Sequence, residues 1–312
     1  MGEWSKKIGE VGESVVEEFF DLIGWANSQS NLTLPCFRGI RHGKEGSPKQ
    51  THGIDRLYSY ESPLEDGVLN HLVTSVKYTS SPYPKTPNSV FKGHFLDLTK
   101  TLECFKKSEL KTRSNKDFSG IDVAKNIGVL FWLSHEVEMD VDILQKVSGC
   151  KGLDEYSYDA VYVVDNKRVG FIYDSIQFVK SAYPIGEFEF FYPSTGKNIN
   201  PLNKKSSGEF LPVEYINSSV LVFKVTDESE KKTLIISCIN EFDNSSLRRL
   251  IGLAQEISQD LTASIVILFP DYNKLHHENY VSDAKAGFRN KSFTNTIKVS
   301  SFRSDFRGLA DE

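Results

Sequence analysis

Alternating hydrophobic and polar positions predict a pair of neighbouring β-strands in the first quarter of the chain. Residues two apart share one face of a strand, and this period runs through Gly53–Tyr60 and again through Leu69–Thr79. An acidic segment that contains Glu61, Glu65 and Asp66 separates the two strands and is typical of a turn. The pattern therefore predicts an amphipathic hairpin.

A helical period precedes this hairpin. Within residues 8–23, apolar side chains form one stripe at Val11, Val15, Val16, Phe19, Phe20 and Ile23. Gly24 follows, in a position where glycine commonly ends a helix. Glu13 lies near the edge of the stripe, and helix geometry by itself indicates a solvated surface acid there.

The middle of the chain alternates between helical and strand-like patterns. A helix is predicted over Phe95–Leu110, and Lys125–Ser134 is an apolar run typical of a strand buried on both faces. Further elements are predicted as a helix at Val141–Val147, a hairpin of Asp159–Val164 and Arg168–Tyr173 around Asp165-Asn166, and a helix at Asp174–Ala182.

The C-terminal third follows a polar, turn-rich segment, residues 193–207, which we interpret as a linker between residues 1–192 and a second α/β domain, residues 208–312. Its pattern predicts strands at Ser219–Val225, Thr233–Ile239, Ala263–Phe269 and Asn295–Ser300, and a helix at Ser245–Gln259. No sequence repeat connects this part to the rest.

Composition indicates a globular protein without an overall basic field. Of the 312 residues, 39% are hydrophobic, enough for a substantial core, and the net charge is −5 with a pI near 5.9. A local basic run nevertheless occupies the far end of the predicted helix and the loop after it, at Lys106, Lys107, Lys111, Arg113 and Lys116. Such a run forms either a solvated face or a set of phosphate contacts.

The cysteines and the first residues indicate a reducing compartment. The four cysteines lie far apart along the chain without a CxxC pair, which argues against zinc and against a disulfide framework. The histidines show no ligand spacing, and a structural role is favoured for His52. No apolar run fits a signal peptide or a membrane span, so we expect a cytoplasmic protein that does not enter a membrane.

Candidate chemistry is concentrated on the predicted hairpin. Ser75 and Lys77 project from one face of the second strand, and Asp55 projects from the first. A carboxylate that holds a hard cation and a lysine that steadies developing charge suit metal-assisted phosphodiester hydrolysis. The alternative is an ordinary amphipathic hairpin.

The order of four short segments carries a resemblance to a known superfamily. Gly12-Glu13, Ile23-Gly24-Trp25, Gly53-Ile54-Asp55 and Ser75-Val76-Lys77-Tyr78 together resemble the PD-(D/E)xK, restriction-endonuclease-like nucleases, over roughly residues 8–135. The resemblance implies an α/β fold with an αβββαβ core, here followed by a C-terminal α/β extension. It also implies that Glu13 holds or orients a metal, that Asp55 is a direct ligand, and that Lys77 is the catalytic lysine.

One position departs from the superfamily pattern. An acid usually lies two residues before the lysine, and this chain has Ser75 there. A hydroxyl is a neutral and weaker magnesium ligand than a carboxylate. Either the site tolerates a Ser-x-Lys arrangement, or Asp97 of the following helix supplies the missing acid, or the chain is a relative that does not cleave.

The resemblance implies a Mg²⁺-dependent (or Mn²⁺-dependent) endonuclease that cuts DNA in bacterial anti-phage defence. Restraint by a second protein subunit or by homo-oligomerisation is expected, because an unrestrained nuclease endangers its host. The basic run would then contact DNA. The alternative is a catalytically inactive nuclease-like scaffold that binds nucleic acid or a partner protein.

Overall fold

A computed structural model describes residues 2–137, 140–258 and 264–303. The described residues form two compact units. The first comprises those of Met1–Val169, Thr195–Lys204 and Pro212–Asn217, and the second those of Gly170–Ser194, Lys205–Leu211 and Ser218–Glu312. Thr195–Lys204, part of the segment interpreted as a linker, therefore belongs to the first unit. The division into domains at residues 1–192 and 208–312 stays a prediction.

The first unit has one sheet between helices. Its elements are α1 (Gly2–Leu22), β1 (Gln29–Pro35), α2 (Gly39–His42), β2 (Thr51–Glu61), β3 (Val68–Thr79), α3 (Asn88–Phe105), α4 (Glu109–Lys116), β4 (Val123–Ser134), α5 (Ile143–Val147) and β5 (Ala160–Val164). The sheet order is β1-β2-β3-β4-β5. Strands β1, β2 and β3 are mutually antiparallel, and β3, β4 and β5 run parallel. The predicted hairpin and the predicted αβββαβ core are confirmed.

Helix α1 ends at a glycine and packs on one face of this sheet. Gly24 has a φ of 77°, and the Trp25 N–H donates to the Phe20 carbonyl over 2.8 Å, the pattern of a Schellman motif. The Phe20 ring also contacts Phe131 of β4, with ring centroids 5.9 Å apart. Arg56 of β2, almost fully buried, adds an ion pair of 2.8 Å with Glu17.

Helix α3 covers the opposite face. Its apolar side chains share one core with the sheet, formed by Leu34, Ile54, Leu57, Val73, Phe91, Phe95, Leu98, Leu102, Cys104, Phe105, Leu130, Trp132, Ile143 and Val147. The helix that was predicted over Phe95–Leu110 begins earlier and ends earlier. It ends at Phe105 because Ser108 starts a new helix, α4, by accepting the Lys111 N–H at its hydroxyl.

The hairpin predicted around Asp165-Asn166 is wrong. After β5 the chain enters helix α6 (Asn166–Ala182). Asp165 accepts the Arg168 N–H at its carboxylate over 3.0 Å. Aspartate and asparagine favour helix N-caps as well as turns, and here the capping role prevails.

The second unit repeats the topology of the first. After α6 come β6 (Glu187–Phe191), β7 (Ser207–Gly208), β8 (Val220–Thr226), β9 (Lys232–Cys238), α7 (Asn244–Ile257), β10 (Ser264–Phe269), α8 (Lys274–Ala286), α9 (Lys291–Asn295) and β11 (Ile297–Ser301). The sheet order is β11-β10-β9-β8-β6-β7. Strands β6, β8 and β9 are antiparallel, whereas β9, β10 and β11 are parallel.

This second sheet therefore matches the first strand for strand, with β7 as an added edge. The sequence predicts β8, β9, α7, β10 and β11 but not β6 or α8, so the shared topology appears only after folding. The last residue of the predicted helix Ser245–Gln259 and the first residue of the predicted strand Ala263–Phe269 lie outside the described residues. Among the described helices, none is long and apolar enough to cross a membrane.

We predict that Gly12 is required for the packing of α1 on β3. A Cβ atom at Gly12 would overlap the Cβ of Tyr78, whereas a Cβ at Gly9, one turn earlier, meets nothing within 4 Å. Gly12→Ala should lower the free energy of unfolding by about 1–3 kcal/mol through overpacking. The matched Gly9→Ala should raise it by about 0.5–1 kcal/mol through helix propensity. Urea unfolding of both variants measures the difference, and equal effects would contradict the packing assignment.

Candidate active site

The candidate site lies where β2 and β3 stop pairing. Their ladder ends at Arg56 opposite Thr74. Beyond this rung, the Val76 N–H donates to Oδ2 of Asp55 over 2.6 Å. A side-chain carboxylate thus takes a donor that a backbone carbonyl of β2 would accept in a continued ladder. This bond fixes the Asp55 carboxylate between the two strands.

Asp55 also lies at an irregular point of β2. Ile54 and Leu57 belong to the same core cluster although they are three residues apart, so the side-chain alternation shifts by one between them. On the neighbouring strand, Asn31 has a φ of 53°, and the ladder between β1 and β2 omits the pair that it would form with Asp55. Such an irregularity redirects a side chain, here that of Asp55.

Lys77 and Asp97 meet on the α3 face of the sheet. The Lys77 Nζ lies 4.0 Å from Oδ2 of Asp97. Ser75, two residues before Lys77, lies on the same face of β3 and is half-buried. The structure therefore brings the acid that was considered as a substitute, Asp97, next to the candidate lysine.

A second lysine, Lys49, binds the same carboxylate. Its Nζ lies 2.8 Å from Oδ1 of Asp97. Burial acts to raise the pKa of Asp97, but the hydrogen bond from Lys49 and the charges of Lys49, Lys77 and His52 outweigh it and hold the pKa below its usual range. Asp97 is therefore ionised at neutral pH. Lys49 precedes β2 in a loop, and no periodicity or motif in the sequence marks it.

His94 is another neighbour that the sequence does not identify. It lies one turn before Asp97 on α3, with its ring edge-on to Trp132 at 5.9 Å. Burial lowers the pKa of His94, and the positive charge of Lys77 lowers it further. A neutral imidazole thus borders the candidate lysine.

Glu13 is not joined to these groups by a described contact. It follows Gly12, which approaches Tyr78, and successive residues of a strand point to opposite faces. Lys77 therefore points away from α1. Glu13 is half-buried, and no hydrogen bond or ion pair in the described part of the chain involves it.

The basic run lies along the same sheet but away from Lys77. Lys106, Lys107, Arg113 and Lys116 are exposed and Lys111 is half-buried. Asn115, within α4, pairs with His71 of β3 over 2.7 Å. Six residues of strand separate His71 from Lys77, which corresponds to about 20 Å. The run and the candidate site are thus neighbours without direct contact.

The candidate residues Asp55, Asp97 and Ser75 carry oxygen donors of the type that a hard divalent cation binds. In the described part of the chain, the second oxygen of Asp55, Oδ1, makes no hydrogen bond or ion pair, and the residue is partly exposed. Asp97 offers another ionised carboxylate, and Ser75 offers a hydroxyl. Oxygen donors of this kind are those that Mg²⁺ prefers.

Two comparisons with known proteins bear on this site. A search of curated proteins finds no matching relative. The family model described as "GAPS4 protein PD-(D/E)XK nuclease domain" matches residues 1–168, more than half of the chain. The match spans α1 to β5 and includes every residue of the candidate site. PD-(D/E)XK nucleases typically use divalent metals, and GAPS4 is a component of an anti-phage defence system. This chain belongs to the GAPS4 PD-(D/E)XK nuclease domain family.

Proposed function

We propose that this protein is a Mg²⁺-dependent (or Mn²⁺-dependent) endonuclease that hydrolyses DNA phosphodiester bonds. The observation that carries the proposal is the position of the Asp55 carboxylate. This carboxylate accepts the Val76 N–H at the point where β2 and β3 separate. The chain that carries it belongs to a family of nuclease domains. Lys77 and Asp97, 4.0 Å apart, lie on the neighbouring strand and the covering helix.

Each residue has a role that its surroundings support. Asp55, with one oxygen fixed and the other available, would bind the cation, together with the ionised Asp97. When bound, the cation supplies Lewis-acid stabilisation of the phosphate and lowers the pKa of water. Lys77 would orient the attacking water and stabilise charge on the phosphate. Glu13 is proposed to orient the metal site, as the superfamily pattern implies.

Ser75 is proposed as a tolerated replacement for the usual acid. Its hydroxyl cannot supply the negative charge of a carboxylate. Asp97 supplies such a charge next to Lys77 from a different element. Lys49 would then act as the counter-ion of Asp97 until a cation binds, and it would contact phosphate afterwards.

We propose that the basic run of Lys106, Lys107, Lys111, Arg113 and Lys116 contacts the DNA backbone. Successive phosphates of one strand lie about 3.4 Å apart along the duplex axis, so about 20 Å corresponds to about six phosphates. A duplex engaged at Lys77 would thus extend to α4. The acidic net charge of the whole chain does not prevent such a local contact.

The second unit is proposed to serve interaction or DNA positioning rather than chemistry. Its strands β8 and β9 correspond in topology to β2 and β3, yet neither contains an aspartate or glutamate. With one candidate nuclease site per chain, a double-strand break requires two chains or two events. We therefore propose action with a partner subunit or as a homo-oligomer, in anti-phage defence in the cytoplasm.

A nuclease-like scaffold that binds nucleic acid or a partner without cutting is the second candidate. The absence of an acid at Ser75 favours it. The contact of Lys49 with Asp97 also favours it, because an ammonium group already neutralises that carboxylate. The scaffold hypothesis and the nuclease hypothesis differ in whether metal-dependent cleavage occurs.

We predict that Asp55→Asn and Lys77→Met each reduce metal-dependent DNA cleavage by about 100-fold or more, because each removes a charge from the reaction centre. Nicking and linearisation of plasmid DNA in Mg²⁺ or Mn²⁺ measure the rate, with the partner protein added where the chain alone is inactive.

The matched controls Asp283→Asn and Lys146→Met change exposed residues outside the site and should leave the rate unchanged. Cleavage by Asp55→Asn at the wild-type rate would reject the site. Full inactivity of the wild type with its partner and phage DNA present would favour the scaffold.

A second prediction concerns which group replaces the missing acid. If Asp97 binds the cation, Asp97→Asn should reduce cleavage by about 100-fold and raise the Mg²⁺ concentration for half-maximal rate. Ser75→Ala, which removes only a neutral ligand, should have a much smaller effect. Lys49→Met breaks the ion pair between Lys49 and Asp97 but retains the Asp97 carboxylate. Its cleavage rate therefore distinguishes the effect of losing the acid from the effect of losing the ion pair. A larger effect of Ser75→Ala than of Asp97→Asn would assign the role to Ser75.

A third prediction tests the basic run by the salt dependence of DNA binding in the cleavage-deficient Asp55→Asn background. Each phosphate contact contributes about 0.9 to the slope of log K against log salt concentration. Combining Lys106→Gln, Lys107→Gln and Lys116→Gln should lower the slope by about 2–3. Lys146→Gln, Lys151→Gln and Lys231→Gln together change the net charge equally and should leave the slope unchanged. Equal slopes for both triple variants would indicate a solvated face.

A further inference from the structure

Two cysteines and two histidines that are far apart in sequence converge beneath the β1–β2 connection. Cys36, His42, His52 and Cys104 each place one potential ligand atom within 4.8 Å of the others. His42, His52 and Cys104 are buried, and Cys36 is half-buried. In the sequence, the wide spacing of the cysteines argued against a zinc site. The fold nevertheless brings two of them, Cys36 and Cys104, together with two histidines.

We propose that these four residues form a structural zinc site. The Cys36 and Cys104 Sγ atoms lie 4.0 Å apart. The Nδ1 atom of His42 lies 3.4 Å from Sγ of Cys36, 3.5 Å from Sγ of Cys104, and 3.3 Å from Nε2 of His52. Ligands about 2.3 Å (sulfur) and about 2.05 Å (nitrogen) from a tetrahedral zinc are separated by about 3.8 Å (S–S), about 3.6 Å (S–N) and about 3.3 Å (N–N). These four separations match the tetrahedron within a few tenths of an ångström, and all ligand atoms lie within 4.8 Å of one another.

Neighbouring side chains orient both imidazoles for metal binding. The outer nitrogen of His42, Nε2, lies 2.8 Å from Oε2 of Glu103, so it donates and leaves Nδ1 as the ligand atom. Nδ1 of His52 lies 3.4 Å from Oγ1 of Thr101, whose hydroxyl donates to the Asp97 carbonyl. Thr101 therefore accepts from His52, which leaves Nε2 of His52 as the ligand atom. Metal-binding histidines commonly have such partners.

The chemistry of the donors selects zinc over the hard cation proposed for the nuclease site. Two sulfur and two imidazole ligands in tetrahedral geometry are typical of zinc, whereas magnesium requires oxygen. Four protein ligands leave no open position for water, which identifies a structural rather than a catalytic site.

The ligands come from four successive parts of the nuclease domain. Cys36 follows β1, His42 ends α2, His52 lies on β2, and Cys104 lies near the end of α3. A zinc ion at this position would attach the β1–β2 connection to α3. The same connection carries Lys49, which contacts Asp97 of α3. The zinc site would therefore hold one wall of the candidate active site without joining the reaction.

The metal content of the purified full-length chain tests the proposal. We expect about one equivalent of zinc in wild type, measured by inductively coupled plasma mass spectrometry, and about tenfold less in Cys36→Ser and in Cys104→Ser. The matched control Cys150→Ser changes a half-buried cysteine outside the cluster and should retain full zinc. Asp55→Asn should also retain full zinc, which separates this site from the nuclease metal.

A spectroscopic readout on the unaltered chain covers the case in which a cysteine variant does not fold. Replacement of zinc by Co²⁺ should produce the intense visible bands of a tetrahedral ion and a thiolate charge-transfer band in the near ultraviolet. Chelation of the metal should lower the Tm of the wild type and restoration of zinc should recover it.

Wild-type protein without zinc that also shows no tetrahedral Co²⁺ spectrum would overturn the proposal. A disulfide between Cys36 and Cys104 in freshly purified protein, detected by mass spectrometry without reduction, would also overturn it. Neither outcome depends on whether the chain cuts DNA.

Discussion

The candidate site depends on the hydrogen bond between the Asp55 carboxylate and the Val76 N–H. Two antiparallel strands normally satisfy each other's backbone groups, and a strand that leaves the ladder exposes donors that need other partners. Here the carboxylate satisfies Val76 where the ladder ends. The same bond leaves the other carboxylate oxygen available and sets its position relative to β3. The strand separation, the satisfied donor and the available ligand therefore arise from one interaction.

Helix α3 is the second constraint, because one of its faces serves both proposed metal sites. Asp97, Thr101 and Cys104 follow the spacing i, i+4, i+7 and so share a face. Asp97 contacts Lys49 and Lys77, Thr101 contacts His52, and Cys104 lies beside Cys36 and His42. The β1–β2 connection contacts this face through Lys49 at Asp97 and through Cys36 and His42 at Cys104. A displacement of α3 would thus alter the candidate active site and the Cys₂His₂ cluster together.

The two units share a sheet topology but differ in the side chains that their strands carry. Both have three antiparallel strands followed by two parallel ones, with a helix before the first strand and a crossover helix after the third. Only the first has acids on its second strand, and although both third strands carry a lysine, Lys77 lies near the C-terminal end of β3 whereas Lys232 is the first residue of β9. In β8 and β9 the corresponding positions are mostly apolar and serve packing. The proposed function thus rests on particular side chains, which a shared topology does not supply.

The sequence by itself determined the elements whose pattern is local. The β2–β3 hairpin, helix α1 with its Gly24 terminus and the buried strand β4 follow from hydrophobic periodicity, and the order of Glu13, Asp55 and Lys77 indicated the superfamily. The sequence misassigned Asp165-Asn166, because the same residues favour turns and helix caps. Only the tertiary structure decided that Lys49 contacts Asp97, that His94 borders Lys77, and that Cys36, His42, His52 and Cys104 converge. These groups lie on different elements, and their distances depend on how helix α3 packs against the sheet, which no local period encodes.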